Sequence, residues 1–224
     1  MNIKTNIKIS ANMYKLVMVL VLPCLAHATV SDGSYIGIEA GLANQIVKFN
    51  SASFNIDTNG SRLYNSAFGV TTRLNLGYNI DEYNGVELGV NYNLPTNITA
   101  PTGANAINAP VWSFDGSYIL SLPTAIRKLS AFGRVGVAYN WMPTTNNSSG
   151  CNCSTVVTPS TDISGSSISD VLGAGIKYNI NRNTSFRIEW LANGIFLPMP
   201  IKVGNQEVAM WTNQTFQIGI NYHF

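Results

Sequence analysis

The chain has 224 residues, of which only 11% are charged while 46% are hydrophobic and 10% aromatic, against roughly a quarter charged in an average soluble domain. That apolar content excludes a disordered chain. Thirteen basic against eleven acidic residues exclude a nucleic-acid binder that works through a positive surface.

In chain order, residues 1–15 hold Lys4, Lys8 and Lys15 and no acid, residues 16–26 (LVMVLVLPCLA) form an apolar run, and Ala26-His27-Ala28 sets small residues at the −3 and −1 positions before Thr29. This is the pattern of a secretory signal peptide, and the run falls well short of the roughly 20 apolar residues that span a bilayer as a helix. Pro23, in front of Cys24, stands where a lipid-modified cysteine would be preceded by a small residue. We therefore expect a removed signal peptide at 1–28 and a single domain at 29–224, the latter with ten basic and eleven acidic residues and a net charge of −1. No later run is long enough for a membrane helix. The options are a soluble β protein or a barrel that crosses a membrane with strands.

Period-two alternation runs through eight segments: 35–43, 68–78, 85–92, 111–120, 129–141, 172–180, 186–192 and the final stretch to Phe224. In the first, Ile36, Ile38, Ala40 and Leu42 share one face and Tyr35, Gly37, Glu39 and Gly41 the other; the last sets Phe216, Ile218, Ile220, Tyr222 and Phe224 against Gln217, Gly219, Asn221 and His223. Phe132 and Leu191 break the polar parity and are read as noise or as local packing. Connections at 44–66, 93–110, 142–169 and 193–210 are long and rich in Asn, Thr, Ser, Gly and Pro, while 79–84, 121–128 and 181–184 are short turns. The pattern predicts an all-β fold: an eight-stranded antiparallel up-and-down barrel with both chain ends on the short-turn side.

Alternation alone leaves open whether the apolar face points in, as in a lipocalin-like barrel, or out into lipid. Three features favour lipid. The polar face is dominated by Gly, Ser and Asn, which suits a crowded lumen rather than a solvated exterior. Tyr78, Tyr92, Trp112, Tyr118, Tyr139, Trp141, Tyr178, Trp190 and Tyr222 stand on the apolar face near strand ends, like interfacial girdles. The third is the ending IGINYHF, with Ile220, Tyr222 and Phe224 in register.

That ending resembles the C-terminal assembly signal of Gram-negative outer-membrane barrels. The stretches GVELGVNY (85–92), LGAGIKYNI (172–180) and FRIEW (186–190) resemble strands of the small OmpA-like and opacity-type surface-antigen barrels, and the likeness covers residues 34–224. It implies an eight-stranded transmembrane barrel with variable surface loops in the bacterial outer membrane. Outer-membrane lipid and lipopolysaccharide, periplasmic chaperones and the barrel assembly machinery would be its partners.

The polar face carries Glu39, Glu87, Asp115 and Glu189 with Arg73, Arg134, Lys177 and Arg187, four acids and four bases. Charges in so narrow a lumen are tolerable only when paired and hydrogen-bonded, so we expect a rigid plug; the alternative is a gated narrow porin-like channel for small solutes. Barrel enzymes need a nucleophile and usually a histidine base. His27 leaves with the signal peptide and His223 stands at a strand end, so we expect no catalytic site, no cofactor and no metal site. Cys151 and Cys153 are an even pair in an oxidising compartment; a local loop disulfide is expected, with pairing to another chain as the alternative. No periplasmic domain is expected after the barrel. The functional expectation is a surface antigen whose loops meet a host surface or matrix ligand, or a protein of envelope integrity.

Overall fold

The computed structural model describes residues 33–49, 64–96, 98–99, 105–107, 109–146, 162–203 and 206–224. The expected signal peptide, with Cys24 and His27, and the pair Cys151 and Cys153 lie outside the described residues. Eleven strands follow one another: β1 (Gly33–Phe49), β2 (Tyr64–Asn79), β3 (Asn84–Asn93), β4 (Ile98–Thr99), β5 (Asn105–Ile107), β6 (Val111–Pro123), β7 (Leu129–Asn146), β8 (Asp162–Asn179), β9 (Thr184–Asn193), β10 (Met199–Val203) and β11 (Gln206–His223). Every pairing is antiparallel, and the wall runs β1-β2-β3-β6-β7-β8-β9-β11. It closes through β1 and β11, from Tyr35 opposite His223 to Phe49 opposite Ala209. The result is a closed eight-stranded barrel without edges. β10 continues the line of β9, pairing with β8 and β11, and β4 and β5 form a small separate ladder within the β3–β6 connection.

The short turns 80–83, 124–128 and 180–183 share one end with the first and last described residues. There the Phe224 N–H donates to the Ser34 carbonyl at 3.0 Å and the His223 N–H to the Asn183 carbonyl at 2.7 Å. In the first turn the Asp81 carboxylate accepts the backbone N–H groups of Tyr83 and Asn84, both at 2.7 Å. Hydrogen bonds from Asn84 and Tyr83 hold its carboxyl below the usual range. In the second turn Lys128 adopts φ 76°, and its carbonyl accepts the Asn179 N–H at 2.8 Å.

At the opposite end the strands run further than alternation suggested, and the expected fourth long connection at 193–210 is corrected. Its residues 199–203 and 206–210 are strand, paired from Met199 opposite Trp211 to Val203 opposite Gln206. Gly194 at φ +77°, Pro198 and Pro200 break the alternation there, which hid a wall strand behind turn-forming residues. At this end β1, β3 and β7 run to Phe49, Asn93 and Asn146.

Outward-facing side chains form an apolar band. On β2, Phe68, Val70, Leu74, Leu76 and Tyr78 are all exposed. Ten residues of strand tilted by about 40° rise roughly 26 Å, the height of the apolar belt of such barrels. Tyr78, Tyr118, Tyr178 and Tyr222 lie near the short-turn end, while Tyr92, Trp112 and Trp141 face one another in register nearer the other end, the first two rings 4.5 Å apart. So much exposed apolar surface on a closed wall fits lipid and not water. β7, β8 and β11 are 18 residues long. At the same tilt they rise about 45 Å, so they extend beyond a hydrocarbon layer of about 30 Å.

Candidate functional site: a stratified lumen

The inward face begins at the short-turn end with a small cleft lined by Tyr35, Asn79, Ile119, Ser121, Phe132, Lys177, Arg187, Asn221 and His223. The His223 Nε2 lies 3.0 Å from Ser185 Oγ and its ring 5.2 Å from that of Tyr35. Chain separation concealed this serine–histidine contact from sequence reasoning. Ser185 is fully buried, and Nδ1 has no hydrogen-bond partner among the described residues, so no acid orients the ring.

Above the cleft lies the ion cluster. Glu87 is its hub. One of its oxygens, Oε1, lies 2.9 Å from Arg73 and 2.5 Å from Arg134; Oε2 lies 2.8 Å from Arg187 and also accepts from the Tyr35 hydroxyl at 2.7 Å and the Asn75 amide at 3.1 Å. Arg73 also holds Asp115 at 2.9 Å, Arg134 reaches Glu189 at 2.7 Å and Asp115 at 3.5 Å, and Arg187 bonds Glu189 at 2.8 Å and pairs with Glu39. Glu39, Glu87, Asp115 and Glu189 are thus joined to three arginines, all of them buried. The remaining predicted lumen cation, Lys177, is buried but makes no ion pair with any described carboxylate; it stands in the cleft below, beside Arg187.

Glycine makes room for this cluster. A Cβ on Gly89 would come within 2.3 Å of the Arg73 guanidinium and 2.5 Å of the Asp115 carboxylate, and one on Gly77 would sit 2.0 Å from the Tyr35 ring. Phe132 and Leu191 are inward and buried. Phe132 lies under Arg187, whose guanidinium carbon is 5.2 Å from the ring centroid, and Leu191 packs with Ala138 and Val171. Tyr35, Asn75 and Phe132 were not singled out from sequence as network members. Their strand parity was the available signal.

A third layer is neutral. Ser113 donates to the Asn140 side-chain amide oxygen at 2.6 Å, Asn140 to Ser169 at 2.7 Å, Asn193 to Asn140 at 2.9 Å, and Asn213 to Asn93 at 3.2 Å. Above it the lumen turns apolar: Val47, Phe49, Val111, Met142, Met199, Ile201 and Trp211 pack into one buried cluster. The indole N–H of Trp211 donates to Gln45 Oε1 at 3.2 Å. Over the same height the outward residues become polar, as with Asn44, Lys48, Ser164, Ser166, Lys202 and Thr212. Apolar-out, polar-in changes to apolar-in, polar-out.

Ile220, Tyr222 and Phe224 point outward and are exposed, with the last two rings 5.4 Å apart edge to face. No group of His, Cys, Asp and Glu suited to a metal ion occurs among the described residues.

Known proteins share this architecture. The sequence profile of the outer membrane protein β-barrel domain matches residues 16–224. The 31 kDa outer-membrane immunogenic protein of Brucella melitensis is 28% identical over 207 residues, covering 86% of this chain and 83% of that protein. Among solved structures, Neisserial surface protein A aligns with a TM-score of 0.57 at 15% identity, over 86% of this chain and 97% of the other. The outer membrane protein OprG of Pseudomonas aeruginosa aligns with a TM-score of 0.52 at 13% identity, over 88% and 99%.

Proposed function

The chain belongs to the outer-membrane β-barrel protein family, which locates it in the bacterial outer membrane, and from that premise we propose that it is a surface protein with a plugged lumen. Its long connections meet the cell exterior, serving surface interaction and adhesion or envelope integrity. The observation that carries this reading is the succession of buried layers inside the barrel. A conduit needs a continuous wet path, but here a buried ion cluster is followed by an amide layer and then by the apolar cluster around Trp211.

A chain that does not conduct has its remaining chemistry on the connections that leave the wall after β1, β3 and β7. Those connections are its antigenic face, in keeping with the immunogenic Brucella relative. The wall contacts membrane lipid and lipopolysaccharide, with residues 1–28 removed on export. Periplasmic chaperones and the barrel assembly machinery deliver it, reading the outward Ile220, Tyr222 and Phe224.

Protease treatment of intact cells tests the orientation. Cuts should fall within 50–63 or 147–161 and spare the turns 80–83, 124–128 and 180–183. Cuts confined to those turns would invert the barrel and remove the surface reading.

A further inference from the structure

The cleft at the short-turn end has a chemistry that the ion cluster above it does not share. Its lining contains two cations, Lys177 and Arg187, and no carboxylate. The four lumen acids are all committed to arginines, and Lys177, 8% exposed, has no ion-pair partner among the described residues. Three further polar atoms beside it are buried without hydrogen-bond partners among the described residues: Arg187 Nε, His223 Nδ1 and Ser130 Oγ, the last on the residue paired with Lys177 across β7 and β8. With Nε2 facing the Ser185 hydroxyl, the His223 ring can carry its proton on Nδ1, as a donor. A buried ammonium without a counter-ion is costly, and buried donors ordinarily find acceptors.

We propose that this cleft is a binding site for a small monovalent anion of halide size, held by the Lys177 ammonium with Ser121, Asn221 and His223 around it. Size follows from the room, which is that of about one water molecule, too little for sulfate or phosphate with a full set of partners. Sign follows from the lining. Position follows from the barrel: the Phe132 ring and Arg187 close the upper side, so the anion enters from the short-turn end and goes no further. The site ends below the ion cluster and does not make the lumen a path.

The test uses the whole folded protein in detergent. Crystals soaked in sodium bromide should show an anomalous peak in the cleft beside Lys177. The heat-induced unfolding temperature should be several degrees higher in sodium chloride or bromide than in sodium gluconate at equal ionic strength. Lys177→Gln should abolish that difference. Ser121→Leu, which fills the cleft and leaves every charge in place, should abolish it too, so the outcome does not depend on one variant folding. Absence of the bromide peak from the cleft, no difference between the salts in wild type, or a halide effect that survives in either variant, would each overturn the site and leave Lys177 as a through-space counter-charge to the cluster.

Discussion

At the scale of single residues, Glu87 and Arg134 show what the lumen spends on being charged. Three guanidinium groups converge on one carboxylate, an arrangement whose attraction must offset both desolvation and the mutual repulsion of the arginines. Buried networks of this kind are weak sources of net stability, but removing one partner is expensive because the others are left unpaired. Arg134→Ala deprives Glu87, Asp115 and Glu189 of a partner at once. We expect a loss of about 3–5 kcal/mol, read as a lower transition temperature in the gel-mobility assay that separates folded from unfolded barrels. An unchanged transition would mean that water reaches these charges and solvates them.

At the scale of elements, the wall line made by β9 and β10 is the informative one. Residues 194–198 leave the ladder and expose Ile195, Phe196 and Leu197 on the outside. Backbone groups freed from the ladder need other partners, and Asp170 provides them: its carboxylate accepts from the N–H groups of Phe196 at 2.9 Å and Leu197 at 2.7 Å, while its carbonyl accepts from Gly194. Asp170→Ala should cost about 1–3 kcal/mol and speed amide exchange at residues 196 and 197, whereas Asp170→Asn, which keeps an acceptor, should stay close to wild type. Equal behaviour of the two variants would contradict that role.

The end of β11 gives a second element-level prediction. Deleting Phe224 should reduce the amount of protein reaching the outer membrane, since the outward terminal aromatics are what the assembly reading rests on; normal levels would remove that reading. These strands also show what a sequence can and cannot disclose. Strict alternation across Ile36 to Leu42 makes the first strand and its faces readable. The strand at Met199–Val203 was missed because prolines and a glycine stand where alternation should continue. Parity puts Glu39, Glu87 and Arg187 on one face, but which of them touch depends on barrel closure and stagger, which join Glu39 to Arg187 across 148 positions of chain. No local pattern encodes that.

At the scale of the whole molecule, the inversion of polarity along the barrel axis ties fold to function. Over the belt of exposed Phe, Leu and Ile the lumen is charged; where the wall becomes polar outside, the lumen becomes apolar, with Trp211, Met142, Phe49 and their neighbours packed into one buried cluster. Sequence alternation read without a membrane boundary assigns one apolar face to each strand, so this cluster was not visible as a core. Physically it lets the upper wall stand beyond the lipid as a small β domain with its own hydrophobic interior, from which the connections emerge. Single-channel recording of the purified wild-type barrel in planar bilayers should show no discrete conductance above the bare-membrane baseline if the lumen is plugged; reproducible channel openings would mean that a wet path runs through it.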